Sequence, residues 1–318
     1  MSRAFITGVA GQDGSYLADD LLAAGWEVHG LVRSADDLRH VAPEVTVHVG
    51  DLTDSAATRA LLHDVAPQHV YNLAGISSVA QSWAEPVATA RASGIAAVEL
   101  MYAARDLQEA RGVGVRFVQA SSSEIFGEPA ESPQSERTPV RPANPYGVAK
   151  AFAHLTAGVV RRQGLHCSSA ILFNHESPRR PMTFVSRKIC SAVARIGRGS
   201  TEVLELGNLD AVRDWGWAPD HVRALRLAAE ADTSADVVVA TGVGHSVRDL
   251  LAAAFAHVGV ADWTDRVRVD PALVRPSDAA AAVGDPSFAR EHLGWSPAVT
   301  FEELVVRMVD AELSLIGA

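Results

Sequence analysis

Short apolar runs alternate with longer stretches of helical periodicity through the first half of the chain. The apolar runs are residues 3–6, 27–32, 45–50, 69–73, 116–120 and 167–173. Between some of these runs the apolar residues recur with helical spacing, in residues 15–24, 88–105 and 146–162. This repeated order of strand and helix predicts an α/β fold with a doubly wound parallel sheet, covered by helices on both faces.

The second half of the chain follows a different pattern, beginning with an irregular polar segment at 174–181. The periodicity then predicts helices and extended segments at 186–198, 206–215, 220–230, 237–241, 247–258, 266–275 and 301–316. We therefore predict a main domain over residues 1–173, to which parts of about 204–245 return. The rest, 174–203 and about 246–318, is predicted to form a smaller, discontinuous substrate lobe.

The composition is that of an ordinary globular protein, with 48% hydrophobic and 21% charged residues among 318. A formal net charge of -10 argues against a nucleic-acid surface, which would be basic. Cys167 and Cys190 fit neither a metal spacing nor a disulfide framework, so we expect buried free thiols and no metal site. The chain starts directly with a strand-like run, and its apolar stretches are shorter than the ~18 residues of a membrane helix. We expect a cytoplasmic protein with no membrane partner.

A glycine-rich segment, TGVAGQDG from residue 7, lies between the first strand and the first helix. Strand, glycine turn and helix in this order are the context of a dinucleotide-binding fingerprint and predict a Rossmann-type sheet. Gly8 permits the tight turn, Gly11 lets the backbone approach a pyrophosphate, and Gly14 allows the helix to pack closely. The predicted cofactor contacts in this segment are Thr7, Gly8, Gly11, Gln12, Asp13 and Gly14.

The residue after the second strand indicates which dinucleotide is bound. Arg33 stands where Asp or Glu would contact the ribose hydroxyl of NAD, and an Arg accommodates the 2′-phosphate of NADP. We therefore predict NADP, with a solvated surface arginine as the alternative interpretation. Turns after the next two strands supply further predicted cofactor contacts, namely Asp51, Leu52, Leu73, Ala74 and Ser77.

Residues 119–150 bring together a hydroxyl, a carboxylate, a phenol and an ammonium. Ser122 and Glu124 follow the fifth strand, at the carboxyl edge where such sheets bind ligands. Tyr146 and Lys150 are four positions apart on a predicted helix and share one face. A nearby ammonium favours phenolate, so we expect Lys150 to lower the pKa of Tyr146 and make it a general base. The alternative interpretation is a solvated Tyr and Lys on an exposed helix.

Several longer strings resemble one family of the extended short-chain dehydrogenase/reductase superfamily. They cover residues 7–17, 119–127, 144–150, 172–180, 206–216 and 240–248, so the similarity runs over most of the chain. The most discriminating strings are LFNHESPRR at 172–180 and LGNLDAVRDWG at 206–216. With these strings the chain resembles the GDP-mannose 4,6-dehydratases.

The resemblance implies NADP as the cofactor, a GDP-hexose as the substrate and a role for individual residues. The family's catalytic residues match Ser122, Glu124, Tyr146 and Lys150. Its further cofactor contacts match His175 and Arg180. The residues predicted to contact the substrate are Ser77, Ser122, Asn174, Lys188, Arg213, Arg275 and Asp278.

The implied reaction is a net dehydration in which the cofactor ends unchanged. Tyr146 removes the C4 hydroxyl proton while a hydride moves from C4 to NADP. Glu124 then takes the C5 proton, water leaves C6, and the hydride returns to C6. A simple dehydrogenase needs only the Ser, Tyr and Lys, so Glu124 is the residue that indicates a second proton transfer.

Positions that depart from the family pattern keep alternatives open. They lie around the expected sugar and ribose sites and are Ile76, Ser78, Ala88, Trp217 and Asp278. Another GDP-sugar, such as a heptose, is one alternative substrate. A nucleotide-sugar reductase or epimerase, and a non-catalytic NADP-sensing protein, are alternative functions. The short loop after the second strand leaves both a homodimer and a homotetramer open.

Overall fold

The computed structural model describes residues 2–274 and 279–317. Its strands are β1 (Arg3–Thr7), β2 (Glu27–Val32), β3 (Thr46–Val49), β4 (His69–Asn72), β5 (Arg116–Ser122), β6 (His166–Leu172), β7 (Asn174–Glu176), β8 (Leu204–Leu206), β9 (Val212–Trp217), β10 (Asp236–Val239), β11 (Gly244–Ser246), β12 (Val267–Val269) and β13 (Ala281–Ala282). Its α-helices are α1 (Gln12–Ala23), α2 (Ser55–Val65), α3 (Val79–Ala84), α4 (Pro86–Thr89), α5 (Ala96–Arg111), α6 (Pro145–Arg162), α7 (Val185–Gly197), α8 (Ala218–Glu230), α9 (Val247–His257), α10 (Ser287–Leu293) and α11 (Phe301–Ile316). A π-helix, Ala90–Ile95, joins α4 to α5, and short 3₁₀ helices span Ser123–Ile125, Thr264–Arg266 and Pro271–Leu273.

Seven strands form the main sheet, in the order β10-β6-β5-β4-β1-β2-β3. Every pairing in it is parallel, and Ile6 of β1, for example, lies opposite Gly30 of β2 and Tyr71 of β4. The direction of the strand order reverses beside β1, and a ligand crevice forms at such a point, outside the carboxyl ends of the strands. The predicted doubly wound parallel sheet is confirmed.

Apolar side chains cover both faces of this sheet. One face packs against α1 and α8, where Leu17 and Leu225 are buried. The other face packs against α2, α5 and α6 through residues such as Leu62 and Leu100. Burying one such side chain is worth roughly 1.5–3 kcal/mol, so both layers hold the sheet edge and its loops in place. No helix within residues 2–274 and 279–317 combines the length and apolarity needed to cross a membrane.

The smaller part of the fold consists of short strands and three helices. One sheet contains β11, β9 and β13, and β7 extends it by pairing with β9, while β8 pairs with β12. The helices α7, α9 and α11 enclose a separate apolar core that includes Ile189, Phe255 and Val309. Thr300 and Glu303 form a reciprocal cap at the start of α11, which fixes where this helix begins.

The chain crosses between the two parts several times. Of the segment predicted to return to the main domain, α8 lies on the main sheet and β10 is its edge strand. The strands β8 and β9 of the same segment belong to the smaller sheets. Later in the chain, α10 packs against α8 and β10, and Trp295 is buried in the main core. Residues 287–295 therefore lie with the main sheet and not with the predicted lobe.

The helix predicted at 88–105 is interrupted by the π-helix. The hydroxyl of Ser93 in this π-helix accepts from the N–H of Ile76 at 3.0 Å, which holds the loop after β4. A Cβ on Gly94 would lie 3.2 Å from the carbonyl oxygen of Ala149, so α6 packs closely here. Such π turns are frequent at functional sites, and a local contact of this kind leaves no mark on the apolar periodicity.

The segment predicted to be irregular, 174–181, begins with the strand β7. Asn174 of β7 lies opposite Trp215 of β9 in a parallel pairing. A strand of three residues has no readable period, and its partner lies far along the chain. The sequence pattern therefore could not predict this pairing.

Candidate active site

The glycine-rich turn between β1 and α1 packs closely against its surroundings. Gly8 has a φ of +74°, in the left-handed region that favours glycine, and its N–H donates to the carbonyl of Leu31 at 2.9 Å. A Cβ on Gly8 would lie 3.0 Å from the backbone of Ala74, and one on Gly14 would lie 2.3 Å from the carbonyl oxygen of Gly8. Gly11 offers no side-chain cap to α1, so the first N–H groups and the positive end of this helix suit a phosphate.

A buried chain of hydrogen bonds links this turn to β5. The hydroxyl of Thr7 donates to Oδ1 of Asn72 at 2.7 Å. Nδ2 of Asn72 donates to Oε1 of Gln119 at 2.8 Å, and Nε2 of Gln119 donates to the carbonyl of Ala120 at 2.8 Å. The chain fixes the ends of β1, β4 and β5 relative to one another at the ligand edge of the sheet.

The predicted catalytic side chains meet where β5 ends and α6 begins. Tyr146 and Lys150 are both buried, and Nζ of Lys150 lies 5.7 Å from the centre of the Tyr146 ring. The side chains of Ser122 and Tyr146 are hydrogen-bonded. Nζ of Lys150 donates to the backbone carbonyl of Ala120 at 2.9 Å. This burial contradicts the alternative in which the Tyr and Lys are solvated on an exposed helix.

The pKa of Tyr146 departs from its ordinary value in the direction opposite to our expectation. Burial raises the pKa of Tyr146 to about 12, although its hydrogen bond with Ser122 acts to lower it, and the charge of Glu124 adds to the rise. Burial also lowers the pKa of Lys150 to about 8. The prediction that Lys150 lowers the pKa of Tyr146 is therefore wrong for the chain alone, because burial of a phenolate costs more than its neighbours return. Tyr146 is a neutral phenol at pH 7 unless further positive charge binds beside it.

Glu124 lies on the 3₁₀ turn that directly follows β5. Its backbone N–H donates to Oγ of Ser122 at 3.2 Å, and its carboxylate accepts from Nδ2 of Asn144 at 2.7 Å. Its charge is close enough to raise the pKa of Tyr146. A carboxylate and a phenol therefore share this site, and together they offer two groups for proton transfer.

A charged contact joins the glycine-rich turn to β7. Nε2 of His175 lies 2.9 Å from Oδ2 of Asp13, and Nδ1 of His175 lies 2.7 Å from the carbonyl oxygen of Phe173. Burial, the largest single influence, would lower the pKa of His175, but the charge of Asp13 and the hydrogen bonds to Asp13 and Phe173 together outweigh burial and raise it. Burial would likewise raise the pKa of Asp13, yet His175 and the amide of Gln12 hold it well below its usual range. Both ring nitrogens thus have acceptors, and the pair is an imidazolium and a carboxylate.

The next residue along β7, Glu176, has different partners from His175. The buried carboxylate of Glu176 accepts from Oγ of Ser186 at 2.6 Å and lies 3.2 Å from Nε of Arg180. The positive charge of Arg180 is also close enough to lower the pKa of Tyr146. In the described ranges, no group of three or more His, Cys, Asp or Glu residues is arranged to hold a metal ion.

The residues predicted to contact the adenosine end lie on the turns after β2 and β3. Arg33 is exposed at the end of β2, and Asp51 is exposed beyond β3 with Leu52 buried behind it. Hydrogen bonds from Thr53 lower the pKa of Asp51, and the charge of Arg33 contributes to the same shift. The guanidinium and the carboxylate therefore lie near each other at one end of the crevice.

The turn after β4 carries the other predicted cofactor contacts. The N–H groups of Leu73 and Ala74 both donate to the hydroxyl of Thr7 at 3.1 Å, so their positions follow from β1. Ser77 is exposed on the same turn. The predicted contacts on β1 and β4 are thus brought together at one edge.

Three of the predicted substrate contacts lie on separate elements of the smaller part, whereas Ser77 and Ser122 lie at the edge of the main sheet. Nζ of Lys188 on α7 donates to the carbonyl of Glu205 at 2.7 Å. Arg213 on β9 has, among its contacts, a hydrogen bond to the carbonyl of Ala279 at 2.8 Å. Asn174 is half-buried at the start of β7. Outside the described residues lie two further predictions, Arg275 and Asp278.

Two residues important to this region were missed by sequence reasoning. Asn144 caps α6 and contacts Glu124, and an Asn at a predicted helix start was an available signal. Asp214 is fully buried, and its carboxylate accepts from the N–H groups of Thr241 and Gly242 at 2.8 and 2.9 Å. A buried carboxylate whose partners are distant in sequence gives no local signal.

Most of the sequence matches one family of known proteins. The match to the family described as GDP-mannose 4,6 dehydratase spans residues 5–308. GDP-mannose 4,6 dehydratase 1 of Arabidopsis thaliana is 42% identical over 326 residues, which cover 98% of this chain and 90% of that protein. The resemblance found from the sequence strings is therefore confirmed.

The fold is shared with solved structures of other enzymes. Thermus thermophilus UDP-glucose 4-epimerase, in a complex with NAD, has a TM-score of 0.85 and 30% identity, covering 98% of each chain. RMD from Pseudomonas aeruginosa, complexed with NADPH, has a TM-score of 0.80 and 25% identity, covering 99% of this chain and all of its own. Similarity of fold thus extends to an epimerase, whereas the Arabidopsis thaliana relative, matched in sequence, is a dehydratase. The chain belongs to the GDP-mannose 4,6-dehydratase family.

Proposed function

We propose that this chain converts GDP-D-mannose to GDP-4-dehydro-6-deoxy-D-mannose with NADP as its cofactor. The observation that carries the proposal is the carboxylate of Glu124 close to the phenol of Tyr146 at one sheet edge. Oxidation and reduction at a hydroxyl need one proton-transfer group, whereas elimination of water across C5 and C6 needs a second group for the C5 proton. GDP-mannose is the substrate in the name of the related dehydratase.

The turn after β1 fits a dinucleotide. A Cβ on Gly14 would lie 2.3 Å from the carbonyl oxygen of Gly8, so only glycine keeps α1 and its N–H groups this close to the turn. The N–H groups at the start of α1 would hold the diphosphate. The proposed cofactor contacts are Thr7, Gly8, Gly11, Gln12, Asp13, Gly14, Arg33, Asp51, Leu52, Leu73, Ala74, Ser77, Tyr146, Lys150, His175 and Arg180.

The chain's own residues perform the proton transfers. When bound, NADP supplies the hydride acceptor for C4, a cationic ring, and the hydride that returns to C6. Tyr146 takes the proton of the C4 hydroxyl, and the hydroxyl of Ser122, hydrogen-bonded with the phenol, orients the sugar oxygen. Lys150, anchored to the carbonyl of Ala120, adds positive charge at the same edge. Glu124 takes the C5 proton, which the C4 ketone has acidified, and gives it to the C6 hydroxyl, which leaves as water. The proton that Tyr146 took from the C4 hydroxyl is then delivered to C5.

The nucleotide sugar would be held mainly from the smaller part of the fold. Guanidinium groups give paired hydrogen bonds to phosphate oxygens, which suits Arg213 and Arg275 to the diphosphate. Lys188 is a donor for the guanine carbonyl. The proposed substrate contacts are Ser77, Ser122, Asn174, Lys188, Arg213, Arg275 and Asp278.

A panel of nucleotide sugars, incubated with the purified protein and NADP, tests the function. We expect a 4-dehydro-6-deoxy product from GDP-mannose, identified by NMR, without net consumption of cofactor. Net use of NADPH, or an epimer as product, would identify a reductase or an epimerase instead. Binding of sugars without turnover would contradict the proposal that the chain is an enzyme. Preference for a GDP-heptose would change the proposed substrate but not the proposed reaction.

The role of Glu124 is tested by Glu124→Gln, because an amide cannot take a proton. We expect the variant to oxidise C4 in a single turnover but to form the 6-deoxy product at a rate reduced roughly 100-fold or more. Glu44→Gln, an exposed carboxylate before β3, should keep the rate of the unmodified chain. Equal rates for Glu124→Gln and the unmodified chain would disprove the role.

The preference for NADP is tested by Arg33→Asp. Loss of a charged hydrogen bond to the 2′-phosphate costs roughly 1.5–3 kcal/mol, so NADP affinity should fall about 10- to 100-fold while NAD affinity is kept or improved. Arg39→Asp removes another exposed arginine of the same loop and should change neither affinity. If Arg33→Asp behaves like Arg39→Asp, Arg33 is only a surface residue.

We also propose that the chain forms a homo-oligomer through an apolar face of α6. Large apolar side chains on this face are 37–58% exposed, namely Val148, Phe152, Leu155 and Val159. They recur with helical spacing, so they form one continuous stripe that a second copy could bury. Light scattering should give a dimer or a tetramer for the unmodified chain and a smaller species for Phe152→Glu. Val113→Glu, exposed in the loop after α5, should leave the assembly intact.

A further inference from the structure

Asn144 directly precedes α6, at the end of the loop that follows the 3₁₀ helix Ser123–Ile125. It is 4% exposed and has extended backbone angles, φ -145° and ψ 162°. Its Oδ1 accepts from the N–H of Gly147 at 2.8 Å, which makes Asn144 the N-cap of α6. The helix that carries Tyr146 therefore begins from this side chain.

The amide nitrogen of Asn144 makes a second contact, on the opposite side of the junction. Nδ2 donates to Oε2 of Glu124 at 2.7 Å. Across residues 2–274 and 279–317, this is the one hydrogen bond that the Glu124 side chain makes. The two ends of one buried amide thus connect the start of α6 with the carboxylate.

The backbone packing around Asn144 leaves little room for these groups to shift. A Cβ on Gly147 would lie 2.4 Å from the carbonyl oxygen of Glu124 and 3.1 Å from Cβ of Pro142. The first turn of α6 therefore rests directly on the backbone of Glu124. Since Tyr146 belongs to that turn, the phenol and the carboxylate keep a fixed relative position.

We propose that Asn144 is a positioning residue that holds Oε2 of Glu124 and leaves Oε1 to take the C5 proton. An amide suits this task because it is neutral and donates in a defined direction, so the hydrogen bond restrains rotation of the carboxylate about its last bond. The inference rests on the proposed function, in which Glu124 removes that proton. An N-cap role alone would need only the acceptor oxygen of Asn144, and its donor would then have no consequence for catalysis.

Two substitutions separate the cap from the contact with Glu124. Asn144→Ser keeps an N-cap acceptor but is too short to donate to Glu124. Asn144→Asp also keeps the acceptor, but it places a second carboxylate against Glu124 and cannot donate when ionised. Asp54→Ala removes the N-cap of α2, away from the site, and is the control for a capping loss alone.

The test measures each step with NADP and GDP-mannose in a single turnover, together with Tm. For Asn144→Ser we expect formation of reduced nicotinamide within about threefold of the unmodified chain, and the 6-deoxy product slowed roughly tenfold or more. Asn144→Asp should slow the product further, and both variants should accumulate the 4-keto sugar with its C6 hydroxyl still present. Asp54→Ala should lower Tm without changing the ratio of the two rates.

Two outcomes would overturn the inference, and they differ from a failure of the proposed function. If both Asn144 variants keep the ratio of the two rates, whether or not Tm falls as it should in Asp54→Ala, Asn144 is only a cap. If the unmodified chain forms no 6-deoxy product from GDP-mannose, the proposed function fails and the inference fails with it.

Discussion

The carboxylate of Asp13, in the first turn of α1, lies 2.9 Å from Nε2 of His175 on β7. The two residues are far apart in the chain and join the glycine-rich turn to the smaller part of the fold. The ring of His221 stacks on His175 at 4.7 Å between ring centres and covers that side of the imidazole. The charges of Asp13 and His175 stabilise each other, and this makes the contact sensitive to pH.

The stability of the chain should fall as the pH rises above neutral, and Asp13 with His175 should account for part of the fall. The pKa of His175 is raised above its ordinary value of 6.5, so its contribution is complete below that pH and is lost as the pH rises through the folded value. The lowered pKa of Asp13 keeps the carboxylate charged throughout this window. Tm measured from pH 6 to about 9 should decline less steeply for His175→Gln, which should also be roughly 3 kcal/mol less stable at pH 6. Parallel curves for the two proteins would contradict an ionised pair.

Thr7 should be required for its hydroxyl and not for its shape. The hydroxyl donates to Asn72 and accepts from the N–H groups of Leu73 and Ala74. Thr7→Val keeps the volume but leaves these groups unpaired, and should cost roughly 3 kcal/mol or more in urea unfolding and weaken cofactor binding. Thr7→Ser keeps the hydroxyl and should cost only about 1 kcal/mol, for the lost methyl group. A loss for Thr7→Ser as large as that for Thr7→Val would contradict the claim that the hydroxyl is the group that is required.

Gly14 should tolerate no side chain, even though alanine is the better helix former. In an open helix Gly→Ala stabilises by about 1 kcal/mol. At position 14, however, the new Cβ would lie 2.3 Å from the carbonyl oxygen of Gly8 and 2.7 Å from Cα of Val9. We expect Gly14→Ala to lose at least 1–3 kcal/mol of stability and most of its cofactor affinity, measured by urea unfolding and calorimetry. Gly114→Ala, where the Cβ meets nothing within 4 Å, should be neutral.

The sequence predicted those strands and helices whose own residues carry a clear apolar period. The strand at Glu27–Val32 and the helix at Phe301–Ile316 agree with the predicted ranges, because each has an apolar period of its own. The strand β7 was missed, since its stability comes from pairing with β9 and not from its own three residues. The π-helix was missed because the contact between Ser93 and the loop after β4 leaves no mark on the apolar periodicity.

The same distinction between local sequence and folded environment applies to the candidate site. The types and spacing of Ser122, Glu124, Tyr146 and Lys150 could be found in the sequence, and the structure brings these four together. The direction in which the pKa of Tyr146 is shifted could not be predicted from the sequence, because burial is a property of the folded chain. The spacing of Tyr146 and Lys150 on one helix indicates that a phenolate and an ammonium would attract each other. It does not give the free-energy cost of burying either charged group.

Asp214 should contribute strongly to the stability of the fold, although its neighbour Arg213 is a proposed substrate contact. Its buried carboxylate accepts from the N–H and hydroxyl of Thr241 at 2.8 and 2.7 Å and from the N–H of Gly242 at 2.9 Å. Burial raises its pKa, so the carboxylate is kept for the hydrogen bonds it accepts, despite the cost of its charge. Asp214→Asn turns one acceptor into a donor facing N–H groups and should cost roughly 3 kcal/mol in urea unfolding. Asp210→Asn, whose exposed carboxylate pairs with Arg248, should cost less than about 1 kcal/mol, and an equal loss at both positions would contradict this account.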